Sequence, residues 1–271
     1  MSIRTSHSPG YEVIMEYFVV CIVALLASSL TLFSGFGLGT LLLPAFLAFF
    51  PADMAVAMTA IVHFLNNTFK LFLVGRQAQW NVVLGFGLPA IIAAFGGAAV
   101  LFLVSDLSPV TSYAVAGRIY EVTPVKLVMA ILIMIFALLE LLPQVQQMEF
   151  DRKYLPVGGL LSGFFGGLSG HQGALRSAFL IRAGLSKESF IATGVVIACL
   201  VDATRLFVYT GHLSAAGLDM NAPLLIAATA SAFLGAYLGN RLVRKVTMRS
   251  VQVIVAVLLF VIAAGLGSGV L

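Results

Sequence analysis

The chain has 271 residues, 61% of them apolar and only 10% charged, with a formal net charge of +4. Soluble domains carry about 25% charged residues, so this composition excludes a water-soluble globule and defines a polytopic membrane protein. The length holds one membrane domain without a soluble catalytic domain, and the basic residues are scattered over short loops, which argues against nucleic acid as a partner.

Residues 1–10 are polar and carry no small-residue cleavage site, so the first span is expected to be retained. That span runs from about 13 to 33 and ends in Ser34-Gly35-Phe36-Gly37-Leu38-Gly39-Thr40, a glycine break. Residues 41–50 are apolar but too short to cross, since about 20 residues are needed. A Pro51-Ala52-Asp53 turn leads to spans at about 54–74, 81–104 and 124–142. Residues 105–123 are expected to form a polar loop or short surface helix. The polar stretch 143–153 reads as a linker between a first repeat (about 13–142) and a second (about 154–267). The second repeat opens with an interrupted run at 154–181 and a basic turn with Arg182 and Lys187. Spans at about 190–210, 222–243 and 251–266 complete it. Cys21 and Cys199 both lie in apolar spans, which predicts packed thiols rather than a disulfide.

The sharpest stretch is 162–180. Five glycines (Gly163, Gly166, Gly167, Gly170, Gly173) fall within eleven residues, and each costs a helix interior about 1 kcal/mol relative to Ala. In hydrocarbon every backbone polar group needs a partner, so such a break persists only where protein or a watery cavity surrounds it. A half-helix is expected to resume at 174–181 with Arg176 in its first turn. Helix starts offer unpaired N–H donors and partial positive charge, which with a guanidinium favour a small anion. The two breaks are also similar in letters. Pro44-Ala45-Phe46-Leu47 pairs with Ser177-Ala178-Phe179-Leu180, and Asn67-Thr68-Phe69-Lys70-Leu71-Phe72 with Asp202-Ala203-Thr204-Arg205-Leu206-Phe207. Matching interrupted segments in two halves point to a transporter binding site.

If each broken pair is a re-entrant hairpin, each half has three true crossings and the second half is inverted. The cytoplasmic side then holds Arg76, Arg152, Lys153, Arg182, Lys187, Arg241, Arg244, Lys245 and Arg249, against Arg4, Arg118 and Lys126 outside. This distribution obeys the positive-inside rule and puts both termini outside. The fold class expected is therefore an all-α polytopic membrane protein. It comprises two inverted repeats, each a glycine-broken re-entrant hairpin plus three spanning helices.

Thr40 and Gly39 would supply one set of donors, and Gly170, His171, Gln172 and Gly173 the other. Close helix packing is the competing account of the glycines, because Gly35/Gly39, Gly163/Gly167, Gly166/Gly170 and Gly235/Gly239 all fit GxxxG. A charge at bilayer depth costs at least about 2.5–3.5 kcal/mol and marks function by default, which singles out Arg176. Lys70 and Arg205 hold matching positions, each three residues after Asn67 or Asp202, but both lie near span ends and could snorkel. His63 shares the Asn67 face. Asp202 could pair with Arg205 or, with His63, take a coupling proton. No metal spacing, nucleophile elbow or phosphate loop appears, so no metal and no cofactor is expected.

Residues 34–47, the Pro51 turn leading into 57–70, and the second copy 159–180 followed by 192–205 resemble the TauE/SafE (TSUP) family of membrane permeases. The resemblance extends over residues 13–266. It implies a multi-pass protein of the plasma (cell inner) membrane with duplicated halves. It also implies transport, commonly export, of sulfite, sulfonates or thiosulfate; without a nucleotide site, that transport is expected to run on the membrane potential or a coupled ion. Access would alternate by rocking of the two halves. The partners expected are the small anion and the lipid bilayer, and a homo-oligomer is compatible with the chain. The alternatives are a permease for another small anion, such as a carboxylate or nitrate, and an intramembrane enzyme using His171 and Asp202. A packing subunit with no site is a third.

Overall fold

Within a bilayer a chain has to satisfy its own backbone polar groups, so apolar runs of this length fold as helices. The computed structural model describes residues 9–34, 38–142, 149–213, 221–242 and 248–271. Its helices are α1 (Pro9–Ser34), α2 (Leu38–Leu47), α3 (Ala52–Val74), α4 (Trp80–Ser105), α5 (Pro124–Leu141), α6 (Leu155–Ser169), α7 (Gly173–Leu180), α8 (Lys187–Leu213), α9 (Ala222–Leu242) and α10 (Met248–Gly267). Four of these, α3, α4, α8 and α9, contain stretches long and apolar enough to cross a membrane, and shorter apolar helical stretches lie in α1, α5 and α10. With 10 and 8 residues, α2 and α7 rise only about 15 and 12 Å, half or less of a ~30 Å hydrocarbon core.

Residues 105–123 form neither a loop nor a surface helix. Thr111–Val115 (β1) pairs antiparallel with Arg118–Val122 (β2), closed by Ala116 and Gly117 at φ 50° and 77°. Two successive positive φ values match the right-handed twist of a hairpin. The flanking Thr, Tyr, Val and Ile residues favour strand over helix, and Tyr113 stacks on Tyr120 at 5.5 Å. The Tyr113 hydroxyl donates to the carbonyl of Ser268, tying the hairpin to the chain after α10.

The second glycine break is narrower than expected. Gly163, Gly166 and Gly167 lie inside α6, and only residues 170–172 leave the helix. The reason is packing. A Cβ at Gly159, Gly163 or Gly167 would stand 2.2, 2.1 and 2.2 Å from the carbonyl oxygens of Phe86, Ala90 and Ala94. Gly97 returns the contact, 2.0 Å from the carbonyl of Phe164. The glycines thus let α4 and α6 touch backbone to backbone, as small residues do in membranes. A π turn at Val83–Gly87 sits at the same seam. Gly235 and Gly239 do the same for α9 against α1, with added Cβ atoms 2.2 and 2.5 Å from the carbonyls of Leu25 and Ser29. Of the first break, residues 35–37 lie outside the described residues, as does 143–148 of the linker.

The principal packing partners are α4 with α6, α1 with α9, α3 with α8 and α5 with α10; α1 with α2 and α6 with α7; α4 with α8 and α3 with α9. Exchanging α1–α5 for α6–α10 in order maps each of these pairs onto another of them or onto itself. The match is incomplete, since α2 packs on α3 more extensively than its counterpart α7 does on α8, and the contact of α6 with α8 has no comparable one between α1 and α3. Leu42, Phe46, Met58, Leu101, Met129 and Ile133 fill the main core between them.

Candidate anion site

Helical periodicity puts His63, Asn66, Asn67 and Lys70 (i, i+3, i+4, i+7) on one face of α3. It likewise aligns Asp202, Arg205 and Tyr209 on α8. Because α3 packs on α8, these two polar faces meet inside the bundle. Asn66, Asp202 and Arg205 are fully buried, and Lys70 is 4% exposed. Both side chains are enclosed by the bundle, which does not fit a side chain snorkelling to an interface.

Asp202 is the hub. Its Oδ2 accepts from His63 Nδ1 at 2.6 Å and from Asn67 Nδ2 at 3.2 Å. Its Oδ1 accepts from Arg205 Nε at 3.0 Å and Gln172 Nε2 at 3.2 Å. Four donors on two oxygens saturate the carboxylate, which is the condition for keeping a buried charge. Gln172 is held in turn, with Arg176 Nη1 donating to its Oε1 and Ser162 Oγ to its carbonyl, both at 3.0 Å. At the edge of this face toward α1, Asn66 pairs with Ser28 at 3.1 Å. With its amide oxygen turned to Lys70, it stands 3.1 Å from Nζ.

The break itself forms the other wall. Gly170 ends α6 with φ 82°, a left-handed cap open to glycine without strain. A Cβ there would fall 2.8 Å from Arg205 Nη1, so the guanidinium lies against the Gly170 backbone. Gly39, at the start of α2, would place a Cβ 3.3 Å from the Gly170 carbonyl oxygen; the two interrupted segments therefore touch. Thr40, next to it, is buried at 3% exposure. His171 stacks on Phe136 of α5, with ring centroids 5.0 Å apart and planes 13° apart.

Buried polar atoms in proteins nearly always have a partner. Here Arg205 Nη1 and Nη2 and His171 Nε2 have no hydrogen-bond partner among the described residues. Arg205 Nη2 does come within 2.8 Å of Asp202 Oδ1, near enough for attraction but without a hydrogen bond. Arg205 is thus ion-paired to Asp202 through one edge, while Nη1, fully buried beside an interrupted helix, keeps donors of the kind that bind negative charge. Among the described residues no cluster of three or more His, Cys, Asp or Glu could hold a metal ion. Cys21 and Cys199 are free thiols.

The structure thus gathers Gly39, Gly170, His171, Gln172, Asp202, His63, Asn67 and Arg205 around one point, with Arg176 attached through Gln172. Lys70 joins by way of Asn66. Arg176 is only half-buried and its Nη1 is engaged, so the sharpest sequence candidate is not the most available cation; Arg205 is. Tyr209 had a sequence signal that went unread, its spacing from Asp202 and Arg205, and its hydroxyl donates to the carbonyl of Gly167. Phe136 had none, because an aromatic in an apolar span is ordinary core.

By fold and site the molecule is a helical membrane protein with buried cationic side chains where two interrupted segments touch. The family model described as sulfite exporter TauE/SafE matches residues 20–266, and the chain belongs to that family of transporters. Comparison with curated proteins and with solved structures yields no match.

Proposed function

We propose that this protein is a secondary transporter that exports a small sulfur-containing oxyanion, with Arg205 as the principal anion-binding residue. The observation that carries the proposal is Arg205 Nη1, fully buried and without a hydrogen-bond partner among the described residues, beside Gly170. Formal charge agrees in sign. Arg205 pairs with Asp202, and Arg176 is linked to the same carboxylate through Gln172, so two guanidinium groups share one carboxylate before any anion binds. Asp202 holds Arg205 and Gln172 in place, and a coupling proton arriving through His63 would act by loosening that set. An exported monoanion gains about 2.3 kcal/mol per 100 mV from an inside-negative potential. The set of packing pairs that survives exchange of the halves supports a duplicated architecture. The Lys and Arg distribution supports an inverted relation between the halves, an inner-membrane location and both termini outside.

The test is sulfite efflux from proteoliposomes. Arg205→Ala is expected to abolish it, and Arg205→Lys, which keeps the charge but loses the planar fork, to retain a fraction. Arg176→Ala is expected to weaken it less, since Arg176 acts through Gln172. Undiminished flux in Arg205→Ala would remove the site from the mechanism.

A further inference from the structure

The second unspent atom at this site carries chemical information of its own. Ser169 Oγ donates to the carbonyl of Phe165, four residues back, at 3.1 Å. Its single hydrogen is thereby used. His171 Nδ1 lies 3.0 Å from the same oxygen, so that contact is a hydrogen bond only if Nδ1 carries the proton and donates to Ser169. The reverse arrangement would set the Ser169 lone pairs against the Phe165 carbonyl oxygen. In the neutral imidazole one nitrogen donates and the other accepts. Nε2 is therefore the bare acceptor, and it is this atom, on a residue 2% exposed, that lacks a partner among the described residues. A second cation beside the Arg205 guanidinium would add like-charge repulsion at low dielectric, so the neutral ring is the form that fits.

The corner thus offers two opposite vacancies. Arg205 Nη1 presents donors that require an anionic oxygen; His171 Nε2 presents an acceptor that requires a hydrogen. The other charged groups near it are committed, Asp202 to its four donors and Arg176 to Gln172. The Phe136 stack fixes the plane in which the Nε2 lone pair points.

Resting on the anion-site reading above, we infer that His171 accepts the hydroxyl hydrogen of a monoprotonated oxyanion while Arg205 binds its charged oxygen. The site selects hydrogen-oxyanions such as hydrogensulfite and disfavours a sulfonate, which has the same oxygens and no hydrogen to give. Sites built to hydrogen-bond a substrate hydroxyl discriminate strongly against analogues that lack it, because a buried polar group is left unpaired.

Methylphosphonate and methanesulfonate make the test, since they are near-isosteric and at mildly acidic pH both are monoanions, but only methylphosphonate carries an O–H. Binding of each, and of sulfite, is measured on the purified full-length protein by thermal stabilisation. Wild type is expected to bind methylphosphonate and sulfite about tenfold or more tighter than methanesulfonate. His171→Phe is expected to lose that preference, and His171→Gln, which restores an acceptor, to recover it. Equal binding of the isosteres by wild type, or a preference that survives His171→Phe, overturns the inference and leaves the anion site standing. If none of the three anions binds, both readings fall. Should the variants not fold, the wild-type isostere comparison decides alone.

Discussion

Removing one member of a buried ion pair strands the other without water, at a cost of about 3–5 kcal/mol. Asp202→Ala is therefore expected to lower the thermal unfolding midpoint sharply, and adding Arg205→Met to recover most of the loss without restoring transport. Gly170→Ala combines about 1–2 kcal/mol of left-handed strain with a methyl pressed on Arg205 Nη1. It is expected to reduce both stability and sulfite efflux, whereas Gly117→Ala, with open space around it, costs only the strain. Much of this site is legible in the sequence. Charged and amide residues at helical spacing within spans declare a shared face, and Asp202 and Arg205 stand three apart. What local sequence cannot rank is availability. Arg176 draws notice by its place after the break, yet whether a guanidinium is spent depends on Gln172 and on helices contributed from far along the chain.

At the level of helices, glycine has two uses here that composition alone does not separate. Gly170 is a cap with positive φ; Gly159, Gly163 and Gly167 are contact surfaces within a regular helix. Adjacent residues of α4 make the distinction measurable. Gly97→Ala drives a methyl into the Phe164 carbonyl and is expected to cost about 1–3 kcal/mol. Gly96→Ala faces open space and is expected to be neutral or to stabilise by up to about 1 kcal/mol. Unfolding of the two variants in detergent checks the pair; equal losses would show that the seam is not what holds α4 on α6. The span ends were readable to within a few residues because hydropathy changes abruptly there. The hairpin at 111–122 was not, because its alternating Tyr, Val and Ile are interspersed with polar residues and the turn carries only one glycine.

For the molecule as a whole, the orientation proposed above rests on the distribution of Lys and Arg. Single cysteines introduced at Arg118 and at Lys187, in a background with Cys21 and Cys199 replaced by Ser, are expected to react differently in intact cells. The membrane-impermeant maleimide should reach the first and not the second; labelling of both from outside would refute the inverted arrangement. The glycine seams bear on movement too. They join α4 to α6 and α1 to α9, so each seam links a helix before residues 143–153 to one after them. In any movement α1 and α9 are then expected to travel together, as are α4 and α6. A covalent staple between α1 and α9 is expected to leave efflux unchanged, while one joining α2 to α6 stops it. A gene split at the linker would therefore not yield two separate moving parts; each fragment would hold half of both, and neither would possess a complete hinge.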